Sequence, residues 1–156
     1  MTTPLLPNTL CISLFIRADP PLPNDFHWAL YHPTTPTSGT KYHITNEGHG
    51  WIAGHSRESP PGHLKSFLLV GLIRIASVNT NTGDPDDLNS KIDGILRSHD
   101  NKLNDKDGVT CRTWLLEMLG ILYREGSCGT FDAEGICRCW KRQLNTGGMG
   151  LRRGPR

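Results

Sequence analysis

The chain has 156 residues, with 17 Lys and Arg against 15 Asp and Glu for a formal net charge of +2. That length fits one domain with a real core and is too short for two. Acids and bases are scattered along the chain, so the charge leaves no electrostatic footprint of a dedicated nucleic-acid binder.

The first element is the run 10–16, where Ile12, Leu14 and Ile16 alternate with Cys11, Ser13 and Phe15. This is the period of a strand packed on both faces or nearly so. The run is too short, and what precedes it too poor in positive charge, for a secretory signal. The five cysteines are therefore expected to be reduced thiols in a cytoplasmic protein. Residues 18–25, rich in proline and acid, form a loop. Two strands follow at 26–32 and 40–46, joined by an exposed Pro-, Thr-, Ser- and Gly-containing linker. A short fourth strand is expected around 51–55, bounded by Gly48, Gly50 and Gly54, with a mobile loop over 56–62. The apolar run 67–78 favours a buried strand, because Val70, Ile73, Ile75 and Val78 are β-branched. It contains Arg74 and falls short of the roughly 20 residues of a bilayer helix, so no membrane span is expected.

Asp84 can cap a helix whose first position is Pro85 and whose first turn carries Asp86 and Asp87. Leu88, Ile92, Ile95 and Leu96 give it an apolar stripe that ends near His99. After a polar loop over 100–108, Trp114, Leu115, Met118, Leu119 and Leu122 recur at helical spacing until Gly126. A weaker helix is expected over 132–144, burying Ile136, Trp140 and Leu144, and the segment 145–156 is expected to be a disordered basic tail. The sum is an α+β domain over 1–144, a small, mainly antiparallel sheet packed against two or three helices.

Cysteine attacks as thiolate, and an ordinary thiol with a pKa near 8.5 is mostly protonated at neutral pH. The first turn of a helix favours the anion through unpaired amides and the positive end of the macrodipole, and Cys111 occupies that place. His27, in Phe26-His27-Trp28-Ala29-Leu30-Tyr31, can accept the thiol proton and return it to a leaving group. His43 can fix the imidazole if the strands 26–32 and 40–46 pair, and amides at the start of the Cys111 helix can hold an oxyanion. The expected site is therefore a Cys111, His27, His43 triad.

The order of these residues resembles the circularly permuted papain-like fold of the lecithin retinol acyltransferase family. The base segment of that family looks like His27-Trp28-Ala29-Leu30-Tyr31, its second histidine lies in a segment similar to Tyr42-His43-Ile44, and its nucleophile opens a helix as Cys111 does. The resemblance covers about residues 26–122 and implies a thiol hydrolase or acyltransferase. The chain departs from the family in having Thr110 where an amide residue usually precedes the nucleophile, Arg112-Thr113 after it, a long linker over 33–39, and no expected carboxy-terminal membrane anchor. It also looks similar to small fungal proteins sharing His27-Trp28-Ala29-Leu30 and Cys111-Arg112-Thr113-Trp114.

The expected partner is a small-molecule or peptide acyl substrate, with no cofactor. Zinc is disfavoured, since Cys128, Cys137 and Cys139 lack paired ligand spacing. The glycines at 147, 148 and 150 are not followed by the Lys-Ser or Lys-Thr of a phosphate loop. Trp28 and Trp51 are not interleaved with basic residues as a single-strand surface requires, so no nucleic acid is expected. His49, His55 and His63 lie in Gly- or Pro-rich loops and are expected to be solvated, while Asp25 and Asp100 are available carboxylates. The competing reading is a non-enzymatic interaction domain in which Cys111 and His27 are core residues.

Overall fold

Alternation in the first strand dictates the middle of the sheet. In the computed structural model, which describes residues 5–58, 68–80 and 83–129, β1 spans Thr9–Ile16 and is buried on both faces from Thr9 to Leu14. It lies between β2 (Phe26–Thr35) and β7 (Leu69–Ser77), antiparallel to both. The five-stranded sheet is completed by β3 (Ser38–Tyr42) and β6 (Ser56–Glu58), in the order β6-β3-β2-β1-β7. A second sheet pairs β4 (Ile44–Asn46) with β5 (Trp51–Ala53).

The run 67–78, expected to be a buried strand, forms the edge strand β7 and leaves Val70 half exposed. Three further details differ from the sequence expectation. The expected linker is mostly strand: β2 runs to Thr35 and β3 begins at Ser38, leaving only Pro36 and Thr37 to turn. The expected single strand over 40–46 is two, because the chain leaves β2 after the Leu30–Tyr42 pair and starts a new ladder at Ile44. Ser56 to Glu58, expected to be loop, pair with Lys41 to Gly39 as an edge strand held by a Lys41–Glu58 ion pair.

Helix α1 (Pro85–Arg97) starts as its sequence dictates, with the Asp84 carboxylate accepting the Asp86 N–H at 3.1 Å. It buries Leu88, Ile92 and Leu96. Helix α2 (Cys111–Arg124) has a reciprocal cap in which Thr110 and Thr113 each use a hydroxyl to hold the other's amide. It ends at Gly126, whose φ of 67° lets the Gly126 and Ser127 amides reach back to the Tyr123 and Leu122 carbonyls. The core joins Leu10, Ile12, Leu14, Phe26, Trp28 and Leu30 of the sheet to Leu88, Ile92 and Leu96 of α1 and to Trp114, Leu115, Met118, Leu119 and Leu122 of α2. The domain is thus α+β, with a mainly antiparallel sheet and two helices on its apolar face. No helix among the described residues is long and apolar enough to cross a membrane. The expected third helix over 132–144 and the tail over 145–156 lie outside the described residues.

The β2–β3 hairpin closes too tightly for any side chain at Gly39. A Cβ there would stand 2.6 Å from the His32 carbonyl oxygen and 2.8 Å from both Pro33 Cα and Tyr31 Cζ. Since two of the three obstacles are backbone, Gly39→Ala is expected to cost about 2 kcal/mol, the usual scale of overpacking. Urea unfolding measures it, and a change within about 0.5 kcal/mol would show that the hairpin yields.

Candidate active site

The place where β3 departs from β2 determines the site. Up to Tyr42 the two strands pair; beyond it the β2 edge from Phe26 to Ala29 is met by the amino end of α2. There the Cys111 sulfur accepts the Trp28 backbone N–H at 3.5 Å and donates to the Phe26 carbonyl at 3.9 Å. Cys111 is buried, 4 % exposed, in the same cluster as Phe26 and Trp28. These contacts put the sulfur against the backbone on either side of His27.

His27 itself projects to the other face by strand alternation, where it meets the Phe15 ring with centroids 6.3 Å apart. His43, the hinge between β3 and β4, turns to it: His27 Nε2 and His43 Nδ1 are 2.8 Å apart, with the rings edge to face. Register alone would have put His43 opposite Ala29, continuing the Leu30–Tyr42 pair, so the hinge is what carries its ring diagonally onto His27. The structure thus brings His27 and His43 together. Among the described residues no hydrogen bond joins Cys111 to the His27 ring; the two meet through the β2 backbone.

Burial is the main cause of the state of both imidazoles. It lowers His27 to about 4, helped by the positive charges of Arg17 and Lys41. His43 is also lowered to about 4, by burial first and then by His27 and Lys41, against a hydrogen bond to the Gly54 backbone that favours its cation. Both rings are therefore neutral at pH 7. The 2.8 Å bond then holds one proton between His27 Nε2 and His43 Nδ1, and with that proton on His27 Nε2, His27 Nδ1 is an unprotonated base.

A third histidine supports this pair from behind. His55, expected to be solvated, has a side chain only 1 % exposed, stacked on Trp114 at 5.8 Å and tilted against Tyr42 at 5.3 Å. Its Nδ1 accepts the His43 backbone N–H at 3.2 Å, so its proton sits on Nε2 and is donated to Asp100 Oδ1 at 3.0 Å. Asp100, read only as an available carboxylate, thus anchors His55, and His55 anchors the backbone of His43. The sequence did carry a signal for this. A hairpin centred on Glu47 to Gly50 with Thr45 opposite Ile52 places His43 opposite Gly54, next to His55. Asp25 instead pairs with Arg17 at 3.4 Å, and His49 is exposed as expected. His63, Cys137 and Cys139 lie outside the described residues. Within the described residues, no group of three or more His, Cys, Asp or Glu could hold a metal ion.

The neutral histidines make folding sensitive to acid. His27, His43 and His32 each have a folded value near 4 against 6.5 when unfolded, so the unfolded chain binds more protons between those limits. Their contribution is complete above about pH 6.5 and is lost as the pH falls toward about 4. For His32, buried at 1 % exposure, the swing is on the order of 3 kcal/mol. Urea midpoints are expected to fall steadily from pH 7 to pH 4, and His32→Phe to flatten part of the slope. A midpoint independent of pH over that window would contradict the neutral, buried rings.

No protein-family model matches the chain, and neither a curated protein nor a solved structure matches it.

Proposed function

We propose that the chain is a thiol-dependent hydrolase or acyltransferase acting on an amide, ester or thioester. The observation that carries this reading is the 2.8 Å bond between His27 and His43, set beside a helix whose first residue is Cys111. In this reading His27 Nδ1 takes the Cys111 thiol proton as the sulfur attacks the acyl carbon and the carbonyl π pair moves onto oxygen. The Cys111 amide, which the Thr110–Thr113 cap does not use, faces the oxyanion. The intermediate collapses, the bond to the leaving group breaks, and the proton on His27 goes to that group, leaving a thioester on Cys111. Water, or an acceptor hydroxyl or amine, then gives a proton to His27 as it attacks the thioester. The sulfur leaves and recovers its proton from His27. His43 is the positioning residue that fixes the His27 imidazole, the role expected of it from the sequence. Proton transfer in this reading requires the His27 ring or the sulfur to come round the β2 edge, since the resting chain holds them on opposite faces.

One observation favours a second reading. The Cys111 sulfur is buried and bonded to backbone on both sides, which suits a structural thiol in a non-enzymatic interaction domain. Iodoacetamide labelling of Cys111 from pH 5 to pH 9, followed by peptide mass spectrometry, separates the two. The enzyme reading expects alkylation of Cys111 at pH 7 that drops at least tenfold in His27→Ala, the scale of losing a positioned base. Slow labelling that rises only near the ordinary thiol pKa of about 8.5, alike in both proteins, would favour the interaction domain.

A further inference from the structure

A cavity lies between the sheet and α1, beside the His32 end of β2. His32 shares the strand face of Phe26, Trp28 and Leu30 rather than that of His27, and five residues of strand separate it from His27 by about 16 Å. The cavity, about 530 Å³, is lined by His32, Asn89, Asp86, Asp93, Arg57 and Tyr42 among others. Two of these carry a buried polar atom with no hydrogen-bond partner: His32 Nε2 and Asn89 Oδ1. Leaving such atoms desolvated and unpaired is costly, and two of them from different elements on one cavity are unusual enough to require an occupant.

The chemistry of that occupant follows from the walls. Asn89 Oδ1 can only accept. Asp86 and Asp93 add carboxylates, and Asp93 remains ionised: burial pushes its carboxyl up, but hydrogen bonds from Tyr42 and Arg97 outweigh this and hold it below the usual range. Tyr42 donates to Asp93 at 2.7 Å, and Arg57, the lining cation, reaches toward Ser38 at 3.5 Å. Asp93 is thereby satisfied by Tyr42 and Arg97, so the unmet groups on the cavity are Asn89 Oδ1 and His32 Nε2, with Asp86 as the lining carboxylate that neither Tyr42 nor Arg97 engages. We infer that this cavity is a second, non-catalytic binding site for a small organic cation bearing N–H donors, an alkylammonium or guanidinium group, with Asn89 and His32 as its hydrogen-bonding floor. The inference does not depend on the thiol chemistry at Cys111.

The test is titration of the ¹⁵N-labelled full chain with methylammonium and with methylguanidine, each against acetate and glycerol as controls. The side-chain amide of Asn89 and the ring nitrogens of His32 are read by NMR. A saturable shift at both residues is expected for the cations alone, with half-saturation on the order of a millimolar, the range of a very small ligand. Asn89→Leu is expected to abolish it while leaving the unliganded fold at least as stable, since it removes an unpaired acceptor. Should that variant misfold, Asp86→Asn, at an exposed position, is expected to weaken cation binding several-fold. Equal responses to glycerol or acetate, no saturable response to either cation, or a bridging water alone at these atoms would each overturn the inference.

Discussion

Replacing Cys111 with alanine is expected to lower turnover of any ester, amide or thioester substrate by roughly six orders of magnitude, the scale seen when the nucleophile of a catalytic triad is removed. The fold is expected to survive. The helix start is held by Thr110 and Thr113 rather than by the sulfur, and the lost contacts are one buried sulfur and two weak hydrogen bonds, together on the order of 1 kcal/mol. His27→Ala is expected to be as severe, and the double variant no worse than either alone, because the two act as one unit. Single-turnover kinetics, with mass spectrometry of the acyl-enzyme, decide the matter. Wild-type turnover in Cys111→Ala, or an acyl group trapped on another residue, would remove Cys111 from the mechanism.

The second large effect is expected at Gly54, which touches no substrate. A Cβ there would lie 2.7 Å from His43 Nε2 and 2.8 Å from its Cε1, so Gly54→Ala must move the His43 ring and disturb its bond to His27. The Gly54 backbone lies outside the left-handed region, so the methyl group is the whole perturbation. Misplacing a catalytic group by about 1 Å can cost a factor of about 100, and a loss of that order in kcat is expected, with KM little changed. A purely structural role would not alter the pH profile of Cys111 labelling, whereas a displaced His43 should shift it toward that of His27→Ala. Activity and profile both unchanged would mean that His43 does not hold His27.

The parts of this arrangement that were legible in the sequence are the locally determined ones. Asp84-Pro85-Asp86-Asp87 states a helix start in one turn of chain, and the α2 stripe from Trp114 to Leu122 states a buried face; both are found as read. The strand at 10–16 showed its double burial because apolar residues fill both phases of the alternation. What local pattern could not supply was the change of sheet at His43. Tyr42, His43 and Ile44 continue one strand-like alternation, and only tertiary packing decides that Tyr42 pairs with Leu30 while Ile44 pairs with Ala53. His55 was misread for a related reason. Its neighbours Gly54 and Ser56 suggest an exposed loop, whereas its burial comes from Trp114, which lies far along the chain. The nearness of His27 and His43 was anticipated, but from strand pairing rather than from the hinge that produces it.

The position of the sulfur at the β2 edge has a spectroscopic consequence. A thiol can both accept from the Trp28 amide and donate to the Phe26 carbonyl, whereas a thiolate can only accept. Ionisation of Cys111 must therefore end one of these contacts and strengthen the other, since a hydrogen bond to an anion is shorter and stronger. The amide proton of Trp28 is thus a built-in indicator of sulfur charge. It should move downfield as Cys111 ionises, and it should stay fixed over the same range in Cys111→Ser, whose hydroxyl does not ionise there. That resonance reads the charge on the Cys111 sulfur in the resting protein, with no substrate present and no alkylating reagent to disturb it.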